Sequence, residues 1–282
     1  MAEINTYLTV ENGYNTCYID SLLICLFYRN NVSINSILEN EPKIPEAYYL
    51  QELIKVKFVD QIKKNYSIFS ETINEIRNYS VICGWLKDGN IDSQQNCILY
   101  YDFLVNLLRI NTIDFEVFDF ENNMISVDTY KLSFPYIKLE LNKDNNVKNL
   151  FINWINSNII LRNSSTQCYK LMNIPQFIVF SVDRFSSKNK NNSKLDIMKK
   201  IKFFGINDSS QSYLKWKIHG IICYDGDNYE NGHYYALFVS GKKDWLFFDD
   251  LEIPSFKKID LNNDKIKDKI LSESVILIYS IE

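Results

Sequence analysis

An α+β fold is predicted by the place where the hydrophobic pattern changes period. Up to about residue 110, apolar residues recur three and four positions apart, as they do along one face of a helix. Beyond that point they alternate with polar residues or gather in short β-branched and aromatic runs, the mark of strands. Helices first and strands afterwards separate this chain from folds in which βαβ units build a parallel sheet.

Residues 1 to about 11 form a lead in which TYLTV reads as a short strand. The segment NGYNTCYIDSLLICLFY, 12–28, then turns into a helix. Ile19, Leu22, Leu23, Leu26 and Phe27 share one face, and Asn15 and Thr16 are N-cap candidates. A polar break with Asn and Pro turn signals follows. The run YLQELIKVKFVDQIKKNYSIF, 49–69, is read as a helix with Leu50, Leu53, Ile54 and Phe58 inward. FSETINEIRNYS, ending at residue 80, is read as another, with Ser70 as its cap candidate. A further helix starts in the polar SQQN run and carries Leu99, Phe103, Leu104, Leu107 and Leu108 on one face. The strand candidates are 115–120, 136–141, 176–185, 215–224, 234–239, 245–248 and 275–281, with one helix over 147–157 between them. SSKNKNNSK, 186–194, is read as a solvated, mobile loop.

A chain of 282 residues that is 46% hydrophobic, with 18 Phe and 19 Tyr, can bury a sizeable core. Its formal net charge of −4 argues against a nucleic-acid surface as its main business. No apolar run is long enough to span a bilayer, and MAEINTYLTVENG lacks the regions of a signal peptide. The expected setting is intracellular, cytoplasmic or nuclear, with no membrane partner. Cys17, Cys25, Cys83, Cys97, Cys168 and Cys223 include no CxxC pair and are expected as free thiols.

Cys17 falls in the first turn of its helix. Backbone N–H groups with no intrahelical partner, and the positive end of the helix dipole, favour a thiolate there. A cysteine in an apolar helix is more often a small core residue; a partner elsewhere in the chain lifts Cys17 above that reading. The sequence holds two histidines. His219 lies inside an apolar strand and is read as a core residue. His233 follows the Asn231-Gly232 turn signal in NGHYYALFVSGKKDWLFFDD, where two apolar runs flank a Gly/Lys/Asp turn and so spell a hairpin. In its simplest pairing, His233 at the start of one strand lies beside Asp249 at the end of the next, with Asp250 adjacent. A carboxylate that orients an imidazole, which deprotonates a thiol, is an arrangement for nucleophilic catalysis. Taken alone, Asn12 reads as a turn residue beside Gly13. Tyr18, Tyr234 and Tyr235 taken alone read as packing.

Together, NGYNTCYIDS and GHYYALF with WLFFDD resemble the ubiquitin-specific protease family of cysteine deubiquitinases. That family carries Asn-Leu-Gly-Asn-Thr-Cys-Tyr-Met-Asn-Ser near its start and Gly-His-Tyr far downstream, ahead of a Trp and a Phe-Asp-Asp. IPQFIVFSVDRF and SVILIYSI resemble its strand ending in Lys-Arg-Phe and its last strand, so the resemblance covers nearly the whole chain. It implies a papain-like fold: a helical N-terminal lobe (thumb, about 1–110) and an antiparallel β-rich C-terminal lobe (palm with reduced fingers, about 111–282). These would form one catalytic domain over 1–282, with the active site between the lobes.

The resemblance implies Cys17 as nucleophile, His233 as base, Asp249 as its orienter with Asp250 in reserve, and Asn12 as oxyanion donor. Tyr234, Asn96 and Tyr235 would line the path of a diglycine tail. The implied partner is ubiquitin or a ubiquitin-like modifier such as SUMO, acted on by a monomer; an inactive ubiquitin-binding scaffold is the remaining alternative. No cofactor is expected. Many family members hold a structural zinc with two CxxC pairs, whereas here Cys168 stands alone in the corresponding region, so no zinc is expected either. The chain departs from the family pattern at three places. Gly13-Tyr14 replaces Leu-Gly, moving the glycine expected to take positive φ by one residue. Asp20 replaces an Asn, and QQNCILYY replaces an acidic motif.

Overall fold

The computed structural model of the protein describes residues 7–86, 90–121, 124–142, 145–157, 161–162, 165–172, 175–185, 190–204, 213–228, 231–240 and 244–281. The first half is helical. In order come α1 (Cys17–Phe27), α2 (Val32–Asn35), a 3-10 turn (Ser36–Glu39), α3 (Glu46–Glu52), a π segment (Leu53–Val59), α4 (Asp60–Lys63), α5 (Ser70–Ile82) and α6 (Cys97–Leu107). The helix predicted over 49–69 thus runs through α3, the π segment and α4 and stops at Lys63. Asn65 turns the chain with φ 61, and Ile68 pairs as a parallel bridge with Val10 of the N-terminal lead.

Three local expectations are corrected by packing. The pattern in α1 predicts one buried face, yet all of its residues are buried. Sheet strands cover one side of it, while α2, α5 and α6 close the others. Leu99, predicted inward on α6, is exposed, whereas Tyr100, Tyr101, Leu104 and Val105 are buried. Ser70 does not cap α5: Phe69 holds that position, and the Ser70 N–H donates to the Glu11 carboxylate at 3.1 Å. A residue distant in sequence thus supplies the acceptor that the helix start needs.

The second half holds the strands β1 (Ile113–Glu121), β2 (Met124–Phe134), β3 (Ile137–Glu140), β4 (Leu161–Arg162), β5 (Ser165–Leu171) and β6 (Phe177–Asp183). They are followed by β7 (Lys200–Phe204), β8 (Tyr213–Gly226), β9 (Gly232–Ser240), β10 (Asp244–Phe248), β11 (Phe256–Ile259) and β12 (Ser274–Ile281). Two helices join them, α7 (Val147–Ser157) and α8 (Asp264–Glu273). The larger sheet runs in the order β11-β10-β9-β8-β12-β6-β3, with β7 also on β8; a smaller one runs β2-β1-β5-β4. All pairs are antiparallel except β3 with β6. The mixed helix-and-sheet class read from the sequence is the class observed. Ile174 and residues 186–189 of the predicted loop lie outside the described residues.

Alternation along the strands sends successive residues to opposite faces. On β9, Tyr234, Ala236 and Phe238 join the core shared with α1, while Tyr235, Leu237 and Val239 join the core covered by α7 and α8. The α1 backbone comes close to β8 because residue 220 is Gly: a Cβ there would lie 2.2 Å from Cys25 Sγ. That approach seats the N-terminus of α1 against the start of β9.

Candidate active site

The chain enters α1 through a tight loop. Tyr14 and Asn15 both take positive φ, 71 and 55, and the Arg77 guanidinium holds the Tyr14 carbonyl at 2.8 Å. The positive φ therefore falls on Tyr14, correcting the expectation that it had moved to Gly13. Gly13 is needed for a different reason: a Cβ there would lie 2.8 Å from Asn74 Oδ1 and 3.0 Å from Thr16 Cγ2. Thr16 occupies the N-cap of α1 but makes no capping bond. Its hydroxyl accepts from Gly13 N–H at 2.7 Å and donates to Asp20 Oδ2 at 2.9 Å.

Cys17 is buried at the first position of α1, and two N–H donors point at its sulfur: Tyr234 N–H at 3.5 Å and Gln94 Nε2 at 3.4 Å. Tyr234 belongs to β9, so the sheet delivers its backbone directly to the cysteine. One residue earlier on the same strand, His233 places Nε2 2.8 Å from Asp249 Oδ1 and 3.4 Å from Asp250 Oδ1. The β9–β10 pairing, with Phe248 opposite Ala236, brings these acids to the histidine. Asp249 is fixed in turn by the Leu251 N–H on its Oδ1 at 3.0 Å, and its own N–H donates to the Ser255 carbonyl. Ser255 is tied to Val10 through its hydroxyl, so the N-terminal lead braces the acidic loop.

Burial works against a charged His233, but the hydrogen bond it donates to Asp249 and the neighbouring Cys17 sulfur outweigh it, and its pKa is raised to about 10. Burial would raise Asp249, but the His233 and Leu251 hydrogen bonds prevail and hold its carboxyl below the usual range. An imidazolium beside a sulfur, fixed by a carboxylate, can supply both a nucleophile and a proton for a leaving group. His233, Asp249 and Asp250 also come close enough to face a common ion. Their hydrogen bonds run within the group, however: the Nε2 that would ligate is already on Asp249.

The other predicted residues separate clearly. Asn12 Nδ2 donates to Asp250 Oδ2 at 2.6 Å, and its Oδ1 accepts from Tyr14 N–H at 2.7 Å. Tyr234 is buried beneath the cysteine, its hydroxyl accepting from Cys97 N–H at 3.4 Å. Asn96 caps α6, accepting from Ile98 N–H at 3.0 Å, and lines a small crevice with Tyr234, Ser181 and Val275. Tyr235 is placed on the opposite face of β9, where its hydroxyl donates to Glu273 at 2.7 Å, so strand alternation keeps it away from Cys17. His219 is fully buried on β8 against the Leu26 carbonyl, and burial lowers its pKa to about 4. Sequence reasoning missed Gln94 and the part played by Thr16 and Asp20. The polar QQN run ahead of α6 was the available signal for Gln94.

No curated protein sequence matches the chain. Among solved structures, it is similar to the SAGA DUB module of Ubp8, Sgf11, Sus1 and Sgf73 bound to monoubiquitin. The TM-score is 0.70 at 15% identity, covering 100% of this chain and 70% of that one. The same module bound to ubiquitin aldehyde gives TM-score 0.70 and 15% identity over 100% and 71%. Those likenesses establish the fold. The family model described as ubiquitin carboxyl-terminal hydrolase matches residues 9–279, a span that takes in the cysteine loop, the β9–β10 hairpin and the last strand. The chain belongs to the ubiquitin carboxyl-terminal hydrolase family.

Proposed function

We propose that the protein is a thiol protease that hydrolyses isopeptide or peptide bonds after the C-terminal diglycine of ubiquitin, acting through Cys17, His233 and Asp249 as one catalytic unit. The observation that carries this reading is the convergence of a cysteine at a helix start, a histidine opening a strand and a carboxylate 2.8 Å from that histidine. A merely ubiquitin-binding scaffold has no need of all three. Membership of the hydrolase family and the ubiquitin bound to the similar DUB modules supply the substrate.

In the first half-reaction Cys17 attacks the terminal glycine carbonyl, and the oxygen gains negative charge. Asn12 and the N–H groups at the start of α1 stabilise that oxygen; one such donor is worth roughly 3 to 4 kcal/mol in the transition state. His233, protonated at neutral pH, gives its proton to the departing amine as the C–N bond breaks, leaving a thioester on Cys17. Water then attacks the thioester while neutral His233 takes its proton. The C–S bond breaks, the ubiquitin C-terminus leaves as an acid that loses its remaining proton to solvent, and Cys17 beside protonated His233 is restored. Asp249 holds the ring orientation through both halves. Tyr234, whose N–H points at the Cys17 sulfur, and Asn96 line one small crevice and are the side chains assigned to the diglycine tail.

Release of a fluorescent group from the ubiquitin C-terminus tests the reading, run beside the same substrate built on SUMO. Turnover of the ubiquitin substrate by the wild type, abolished in Cys17→Ala, is expected. Turnover that survives Cys17→Ala, or that occurs on SUMO alone, would overturn it.

A further inference from the structure

Behind the cysteine, a ring of hydrogen bonds closes through two acids. Gly13 N–H donates to Thr16 Oγ1, and Thr16 Oγ1 donates to Asp20 Oδ2. Asn12, next to Gly13, donates to Asp250 Oδ2. What remains is one oxygen on each carboxyl group, Asp20 Oδ1 and Asp250 Oδ1, both buried with no donor hydrogen-bonded to them, and the two acids influence each other's titration. Asp20 is 0% exposed and Asp250 6%; Asp20 Oδ1 is buried with no donor, and Asp250 Oδ1 is buried with only His233 Nε2 nearby at 3.4 Å. Two carboxylates facing each other have no hydrogen to share, so the ring closes only with a proton between them.

The surroundings say which acid holds it. Asp20 faces Asp250 from the loop after β10, Cys17 and Tyr18 on its own helix, and Tyr100 from α6. Among the described residues no Lys, Arg or His hydrogen-bonds or ion-pairs with it. Burial, and then the Asp249 charge, raise the Asp250 carboxyl as well, but the hydrogen bond with Asp20, His233 at 3.4 Å and the Asn12 amide at 2.6 Å all favour its anion. The proton therefore resides on Asp20. Full burial, and then the Asp250 charge, push its carboxyl well above the ordinary range, and the pair titrates as a unit.

We propose that Asp20 is a positioning residue that stays protonated at working pH and spends its proton on Asp250, locking the carboxylate that aims Asn12 at the developing oxyanion. The proposal rests on the thiol-protease reading for its consequence in catalysis. Asp20 touches no substrate. Its neutral carboxyl does the work of an amide: one hydrogen given to Asp250, one oxygen open to Thr16. When the pair loses its proton, two buried anions face each other, Asp250 moves off and Asn12 loses its aim.

Two measurements on the full chain test this. Infrared difference spectroscopy between wild type and Asp20→Asn at neutral pH should show the carbonyl stretch of a protonated carboxylic acid that disappears in the variant. In steady-state ubiquitin hydrolysis, Asp20→Asn should keep kcat near wild type and lose the alkaline limb set by the acid pair. Asp20→Ala should lose kcat about 10²-fold with KM little changed, since one oxyanion donor is misaimed. No protonated-acid band in the wild type, or Asp20→Asn as impaired as Asp20→Ala, would overturn the proposal. The band without any ubiquitin turnover would support the proton on Asp20 and overturn only the substrate assigned above.

Discussion

Asn12 and Asp250 stand 238 positions apart in the chain, yet the Asn12 Nδ2 lies 2.6 Å from Asp250 Oδ2. The bond joins the loop that precedes the cysteine to the acidic loop that serves the histidine. Asp250 is thus less a spare orienter for His233, which sits closer to Asp249, than a grip on Asn12, the oxyanion donor proposed above. Replacing Asp250 by Ala is expected to reduce kcat about 10²-fold while KM stays within range of wild type, because Asn12 keeps its donor but loses its aim. Steady-state kinetics decide it; an effect confined to KM would speak against this division of labour.

His233 holds its proton through partners on both sides of the ring, so its titration reports them. Its folded pKa of about 10 lies above the ordinary 6.5. Its contribution to stability is therefore fully present below about pH 6.5 and is lost as the pH rises through about 10. Asp249→Asn should lower the imidazole pKa, since the Asp249 hydrogen bond is the largest single influence that raises it. Titration of the ring signals by NMR checks this. An unchanged value in Asp249→Asn would remove Asp249 as the orienting group.

Tyr14 takes φ 71 with its side chain 69% exposed, so the left-handed backbone is strained and the ring buries little in return. Tyr14→Gly is expected to stabilise the protein by about 1 kcal/mol, because glycine adopts that conformation freely. Chemical denaturation measures the shift. Destabilisation would mean that the tyrosine ring makes a contact outweighing the strain.

Adjacent tyrosines on β9 should behave in opposite ways. Tyr235→Phe removes only the hydroxyl bond to Glu273 on the far face and should leave kcat and KM alone, at a stability loss of about 1 kcal/mol. Tyr234→Ala empties the position beneath Cys17 and beside the crevice, and should raise KM for ubiquitin substrates. Kinetic constants that change in Tyr235→Phe and not in Tyr234→Ala would reverse the assignment of faces.

Much of this was readable in the sequence because the signals were local. The α1 helix, the helix over 147–157 and the β9–β10 hairpin follow from periodicity and turn chemistry, and the hairpin alone puts His233 near Asp249. Elements with weak local signals were not found. In α8, DKIKDKILSE is mostly charged and buries little beyond Ile270, and β11, at the sheet edge, sets two adjacent exposed lysines between Phe256 and Ile259 and so breaks the period of two. The reason for Gly13 was not legible in the sequence, because steric crowding by Asn74, not backbone conformation, selects glycine there. The Asp20–Asp250 contact was invisible for a different reason: it depends on two acids distant in sequence meeting in a closed core, and no spacing rule encodes that.

The most direct test treats the protein with ubiquitin carrying an electrophile in place of its C-terminal carboxylate, then maps the adduct by mass spectrometry. A single adduct on the peptide containing Cys17, absent in Cys17→Ala and slowed in His233→Ala, is the expected result. An adduct on any other of the cysteines, or none under conditions where the folded protein is intact, would contradict a nucleophile at the start of α1.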